Sequence, residues 1–169
     1  MKTKNFSTIK FGMIAVIIAI AIAIAQSAVH AQEPVEPRGG SIFGTWDLQV
    51  TFVDCTTGTP LFPPGRSLVT YAYGGTYIEE PAGMPPSRRY PGLGVWRHVT
   101  GRTYALAFKA FQYNADGTSN GRMVVTAETE HNLNDTLTST ASARIYNAAG
   151  VLISTGCVNI TGTRFAGLE

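Results

Sequence analysis

Beyond residue 42, hydrophobic and polar residues alternate along most of the chain. Trp46, Leu48, Val50 and Phe52 alternate with Thr45, Asp47, Gln49 and Thr51. A period of two puts one set against a core and the other in water, which is the pattern of a half-buried strand. Residues 56–65, rich in Gly, Pro and Thr, read as a loop. Residues 67–73 and 76–80 flank Gly74-Gly75, a two-residue hairpin signal. Residues 81–91 hold four prolines and no periodicity. They form a long irregular loop, and loops of that length are often functional.

The same alternation continues to the C-terminus. Residues 93–99 and 102–113 flank Thr100-Gly101, with Tyr104, Leu106, Phe108 and Ala110 sharing one face of the second strand. Residues 114–121 make a turn of Asn, Asp, Gly and Ser. Strands at 122–131, 136–147 and 151–161 follow, separated by turns at 132–135 and 148–150. Leu137, Ser139, Ala141, Ala143 and Ile145 fall on one face. No stretch of this body has a convincing 3.6-residue period. The reading is all-β: an eight-stranded antiparallel up-and-down barrel, whose closure removes unpaired edges. The competing architecture, a sandwich, needs more sheet-crossing connections than this spacing offers.

The N-terminus follows different rules. Residues 1–10 are basic, Phe11 to Ala25 form a 15-residue apolar run, and Val29-His30-Ala31 makes a small-residue site ahead of Gln32. That order is a secretory signal peptide. The competing reading is a retained anchor, although a span needs about 20 apolar residues. The expected organisation is a signal peptide at 1–31, a linker at 32–41, a barrel at 42–165 and a tail at 166–169, with no stable membrane span after cleavage and a secreted or periplasmic location.

Charge changes meaning once that segment is set aside. The chain of 169 residues has a formal net charge of +2, but Lys2, Lys4 and Lys10 are three of its thirteen Lys+Arg. The remainder holds ten against eleven Asp+Glu. A near-neutral body without a basic run argues against a nucleic-acid partner. The two cysteines, Cys55 and Cys157, are an even count in a chain read as exported, which favours one disulfide over two free thiols. Such a bridge would join the two ends of the domain.

The first strand opens Gly44-Thr45-Trp46, which resembles the GxW signature of the calycins: lipocalins, fatty-acid-binding proteins and avidin-like barrels. The resemblance implies that Trp46 plugs a closed barrel end and that a basic residue from the C-terminal part, here Arg164, packs across its ring as a cation on an aromatic face. The chain is also similar to a group of uncharacterised exported bacterial proteins with a lipocalin-like body. That similarity rests on Gly44-Thr45-Trp46, residues 54–58 (Asp-Cys-Thr-Thr-Gly), residues 92–96 (Gly-Leu-Gly-Val-Trp), residues 101–104 (Gly-Arg-Thr-Tyr) and Gly156-Cys157.

Candidate chemistry is sparse. The small residues Ser139, Ala141 and Ala143 and the large Tyr104, Phe108 and Phe52 leave an aromatic-lined cavity if they share the interior, or simply complement each other in a filled core. His98 shares strand parity with Gly94 and Trp96 and faces inward if Trp96 does, as a ligand or haem anchor or as a hydrogen-bonded rim histidine. If Val95 faces in, Arg97 takes that place. His131 ends a strand and reads as solvated, and Glu128 and Glu130 read as a solvated outer face. Arg88-Arg89, followed by Tyr90, would clamp an anionic head group at the barrel mouth or sit in water. The expected ligand-binding residues are Trp96, His98, Tyr104, Phe108, Arg88 and Arg89. No catalytic residue, metal ligand or cofactor is assigned, since no triad, Walker loop, dinucleotide fingerprint or zinc spacing is present.

Counting ends along the chain puts the 56–65 loop opposite Trp46 but assigns the 81–91 loop to the closed end. Against that count, the long loop reads as a lid beside Trp96 and His98. The expected function is an exported barrel binding a small apolar molecule. Two alternatives stand beside it: a cyclase- or isomerase-like enzyme with an architectural resemblance to allene oxide cyclase barrels, and a structural module with a filled barrel.

Overall fold

A computed structural model describes residues 41–166. The expected signal peptide, most of the expected linker and the last three residues of the expected tail lie outside the described residues. Eight strands form: β1 Gly44–Val53, β2 Gly65–Tyr71, β3 Thr76–Pro81, β4 Gly92–Thr100, β5 Thr103–Tyr113, β6 Ser119–His131, β7 Thr136–Tyr146 and β8 Leu152–Arg164. Each pairs antiparallel with the next, and β8 returns to β1, so the sheet closes as an up-and-down barrel of the calycin-like plan. All eight strands lie where the alternation puts them. The main differences are longer ends: β6 begins at Ser119 and β8 runs on to Arg164. The last strand lengthens because Arg164 is the cross-strand partner of Trp46.

The seam between β1 and β8 runs from Trp46↔Arg164 to Val53↔Cys157. Cys55, just past the end of β1, is bonded to Cys157 with Cα atoms 5.2 Å apart. The β2–β3 hairpin turns at Gly74-Gly75, both at positive φ, a conformation that costs glycine nothing.

Trp46 marks one end of the barrel. Antiparallel alternation puts the turns at 72–75, 101–102 and 132–135 at that end, and the connections at 54–64, 82–91, 114–118 and 147–151 at the other. The long proline-rich loop follows the third strand and therefore lies at the mouth, beside the 54–64 loop. The sequence-based count that assigned it to the closed end is corrected here, and no extra strand hides within it. Its position beside Trp96 and His98 is corrected too, because both lie on the part of β4 that runs down toward the closed end.

The closed end is built as the GxW resemblance implies. Trp46 is fully buried, its Nε1 donates to the Ile42 carbonyl at 2.8 Å, and the Arg164 guanidinium lies 4.3 Å from its ring centroid. Arg164 also donates to the Phe43 carbonyl at 2.5 Å, the Ser41 carbonyl at 2.6 Å and Asp135 Oδ1 at 3.0 Å. His131, expected in water, is only 1% exposed and meets the Trp46 ring edge-on at 5.3 Å. As the last residue of β6, it points inward on the same parity as Val125 and Thr129.

Candidate functional site

The interior changes character along the barrel axis. Next to the Trp46 plug is an aromatic layer in which Trp96 meets Phe43, Tyr71 and Tyr104 at centroid distances of 5.1, 5.9 and 5.8 Å. Trp96 Nε1 donates to the Ala72 carbonyl at 3.0 Å, which ties the ring to the β2–β3 turn. A short polar chain crosses the core nearby. Thr129 donates to Ser139 at 2.9 Å, Ser139 donates to the Glu128 carbonyl at 2.8 Å, and Tyr71 Oη lies 3.4 Å from Thr129. Burial, partly offset by that contact, pushes the Tyr71 phenol up to about 12. Tyr77 is raised well above the ordinary tyrosine value, mainly by burial and further by Tyr71 and Glu79, with Arg89 acting the other way.

Toward the mouth the barrel is not filled. A cavity of about 290 Å³ is lined by side chains that include Val50, Phe108, Val125, Ala143, Val158 and Ile160. The small residues on β7 make this space. Ala141 and Ala143 face inward and line it with only a methyl group each. An engineered apolar cavity of about 150 Å³ takes up benzene, and this one is nearly twice that volume.

One wall is charged. Glu79 points inward from β3 between Tyr77 and Pro81 and is 8% exposed. Arg89 descends from the mouth loop, is 4% exposed, and donates from Nη2 to Glu79 Oε2 at 2.6 Å. Ser67 donates to Glu79 Oε1 at 3.0 Å and lies equally near the Glu80 carbonyl. All three residues line the cavity. Arg89 Nη1 is buried and has no hydrogen-bond partner among the described residues.

Arg89 turns inward because the loop is clipped to the end of β5. Arg89 bridges Gln112, Tyr90 N–H donates to the Phe111 carbonyl at 3.1 Å, and Tyr113 N–H donates to the Arg88 carbonyl at 2.9 Å. Extended backbone alternates its side chains, so with Arg89 inside, Arg88 and Tyr90 face out. Arg88 is exposed, its Nε on the Tyr113 carbonyl, and Tyr90 rests on Tyr113 with centroids 4.9 Å apart.

Of the six expected ligand-binding residues, Arg89 and Phe108 line the cavity. Trp96 and Tyr104 belong to the aromatic layer below it. His98 does not reach the cavity and is the hydrogen-bonded rim histidine. It keeps the parity of Trp96 and pairs with Tyr104, its ring 5.3 Å from that of Tyr104, but it sits at the rim, where it is exposed and its Nε2 lies 2.9 Å from the Gly101 carbonyl. Arg97 faces outward with Val95. Glu79 and Ser67 are site residues that sequence reasoning missed. The available signal for Glu79 was strand parity with Tyr77, the cross-strand partner of Tyr71. Among the described residues, no three His, Cys, Asp or Glu side chains gather to hold a metal ion.

No protein-family model matches this chain, and no curated protein is significantly similar to it. The class assigned to it therefore rests on the architecture described above: a closed, antiparallel, calycin-like barrel with one plugged end.

Proposed function

We propose that this protein is an exported barrel that binds a small apolar ligand at the end away from Trp46. The observation that carries this reading is the cavity of about 290 Å³, with its mostly aliphatic and aromatic lining. Ligand sites are typically apolar hollows with a few placed polar groups, and Ser67, Glu79 and Arg89 are those groups here. Export is supported by the basic–apolar–small-residue order of the N-terminus and by the Cys55–Cys157 bridge, a bond typical of oxidising compartments.

The cavity weighs against a filled structural barrel. A cyclase- or isomerase-like reaction is the second reading, favoured by the carboxylate of Glu79 within an apolar chamber. Against it, both Glu79 oxygens are already engaged, accepting from Arg89 or Ser67.

The test is titration with the apolar fluorophore 1-aminoanthracene. Saturable one-to-one enhancement is expected for the native protein, and its loss is expected in Ala143→Phe, which fills the cavity. Enhancement that is absent, or that persists unchanged in a folded Ala143→Phe variant, overturns the proposal.

A further inference from the structure

We infer that the cavity selects ligands carrying one uncharged hydrogen-bond acceptor, such as a ketone or ether oxygen, and rejects the corresponding carboxylates. This rests on the binding role proposed above and assigns that site its chemical class.

Two observations at the cavity wall combine. Arg89 Nη1 is buried and lacks an acceptor among the described residues, and a buried donor left unmatched is costly. An arriving oxygen atom that accepts from it removes that cost, so the wall rewards an acceptor. The sign of the site is the second observation. Arg89 is already neutralised by Glu79 at 2.6 Å, with both side chains nearly excluded from water. In surroundings of low polarity, charge–charge terms are far larger than in bulk solvent. A carboxylate bound at Nη1 would put a second negative charge beside Glu79, and the other cation of the lining, Arg66, is itself paired with Asp47. A carbonyl oxygen takes the same hydrogen bond and leaves the wall neutral. The arginine that reads in the sequence as a clamp for anions thus has its charge already used by Glu79, and only its donor geometry is left for a ligand.

Three probes of one chain length separate the contributions: hexane, 2-hexanone and hexanoate, each measured at neutral pH by displacement of 1-aminoanthracene. The native protein is expected to bind 2-hexanone at least tenfold more tightly than either hexane or hexanoate. Glu79→Gln, which keeps the shape and removes the charge, frees the Arg89 cation, and hexanoate should then gain at least tenfold while hexane stays unchanged. In Glu79→Leu/Arg89→Met, apolar residues replace the whole pair, an exchange that buried ion pairs often tolerate. There the advantage of 2-hexanone over hexane should vanish, and this variant also decides the matter if Glu79→Gln does not fold. Hexane binding as tightly as 2-hexanone in the native protein overturns the acceptor site and leaves the apolar cavity standing. Hexanoate as the tightest native ligand, or an unchanged hexanoate affinity in Glu79→Gln, overturns the charge argument. Failure of all three probes to displace a bound fluorophore overturns this inference and leaves the apolar cavity standing, whereas a fluorophore that does not bind the native protein overturns the cavity reading and this one with it.

Discussion

Trp46 and Arg164 show how much a single pair of residues organises. The indole is surrounded, its N–H is satisfied by Ile42, and its face carries a guanidinium that also draws in the carbonyls of Ser41 and Phe43. Trp46→Ala removes the plug from a closed wall, and the expected loss is about 3–5 kcal/mol in urea unfolding. The buried phenols make a second prediction at this scale. Tyr71 and Tyr77 stay protonated in the folded state to higher pH than in the unfolded chain. Above pH 10, the ordinary tyrosine value, the unfolded chain therefore binds fewer protons, so stability is constant below that point and falls as pH rises toward about 12. Thermal melts of the Tyr71→Phe variant should show a weaker alkaline loss. The Trp46–Arg164 pair was legible from Gly44-Thr45-Trp46 and a terminal arginine. Glu79 was not, because Glu79-Glu80 reads locally as a solvated pair, and only its cross-strand neighbours reveal which of the two turns inward. Nor does the sequence choose between Arg88 and Arg89. That choice is made by backbone bonds between the loop and β5.

At the scale of the strands, alternation was a reliable guide because each strand has one wet and one dry face, so a register slip would expose its whole core set. What it does not give is exposure at strand ends. His98, on the parity of Trp96, is exposed at the rim, while His131, on the parity of Val125, is buried against Trp46. Close approach of strands is a separate constraint. A Cβ placed on Gly94 would stand 2.1 Å from the Ala107 carbonyl oxygen and 2.5 Å from Phe108 Cβ, so β4 and β5 could not keep their spacing. Gly94→Ala should cost about 1–3 kcal/mol, the scale of overpacking. Gly156 has ordinary φ and open space where its Cβ would lie, and Gly156→Ala should stay within about 0.5 kcal/mol of the native protein. Equal effects for the two substitutions in denaturant unfolding would contradict this account of the β4–β5 contact.

For the whole molecule, closure is the governing fact. The first and last strands share eight paired positions, and the disulfide fastens that seam across 102 residues of sequence. In the chain-entropy account, a loop of this length is worth about 4.7 kcal/mol. Reduction, or Cys55→Ser with Cys157→Ser, should lower stability by about 2–5 kcal/mol, read from the urea midpoint, with the barrel still formed. The chain topology was legible in the turn signals. The cavity was not, because Ala141 and Ala143 leave the same trace in sequence whether larger neighbours fill the space or leave it open. The account therefore depends most on that space being real. The direct measurement is X-ray diffraction from crystals of the protein pressurised with xenon, an atom that enters apolar cavities and adds strong density. The account predicts xenon inside the barrel, between Phe108 and the Ala141–Ala143 face of β7. An interior without xenon, its side chains packed across that space, would contradict it.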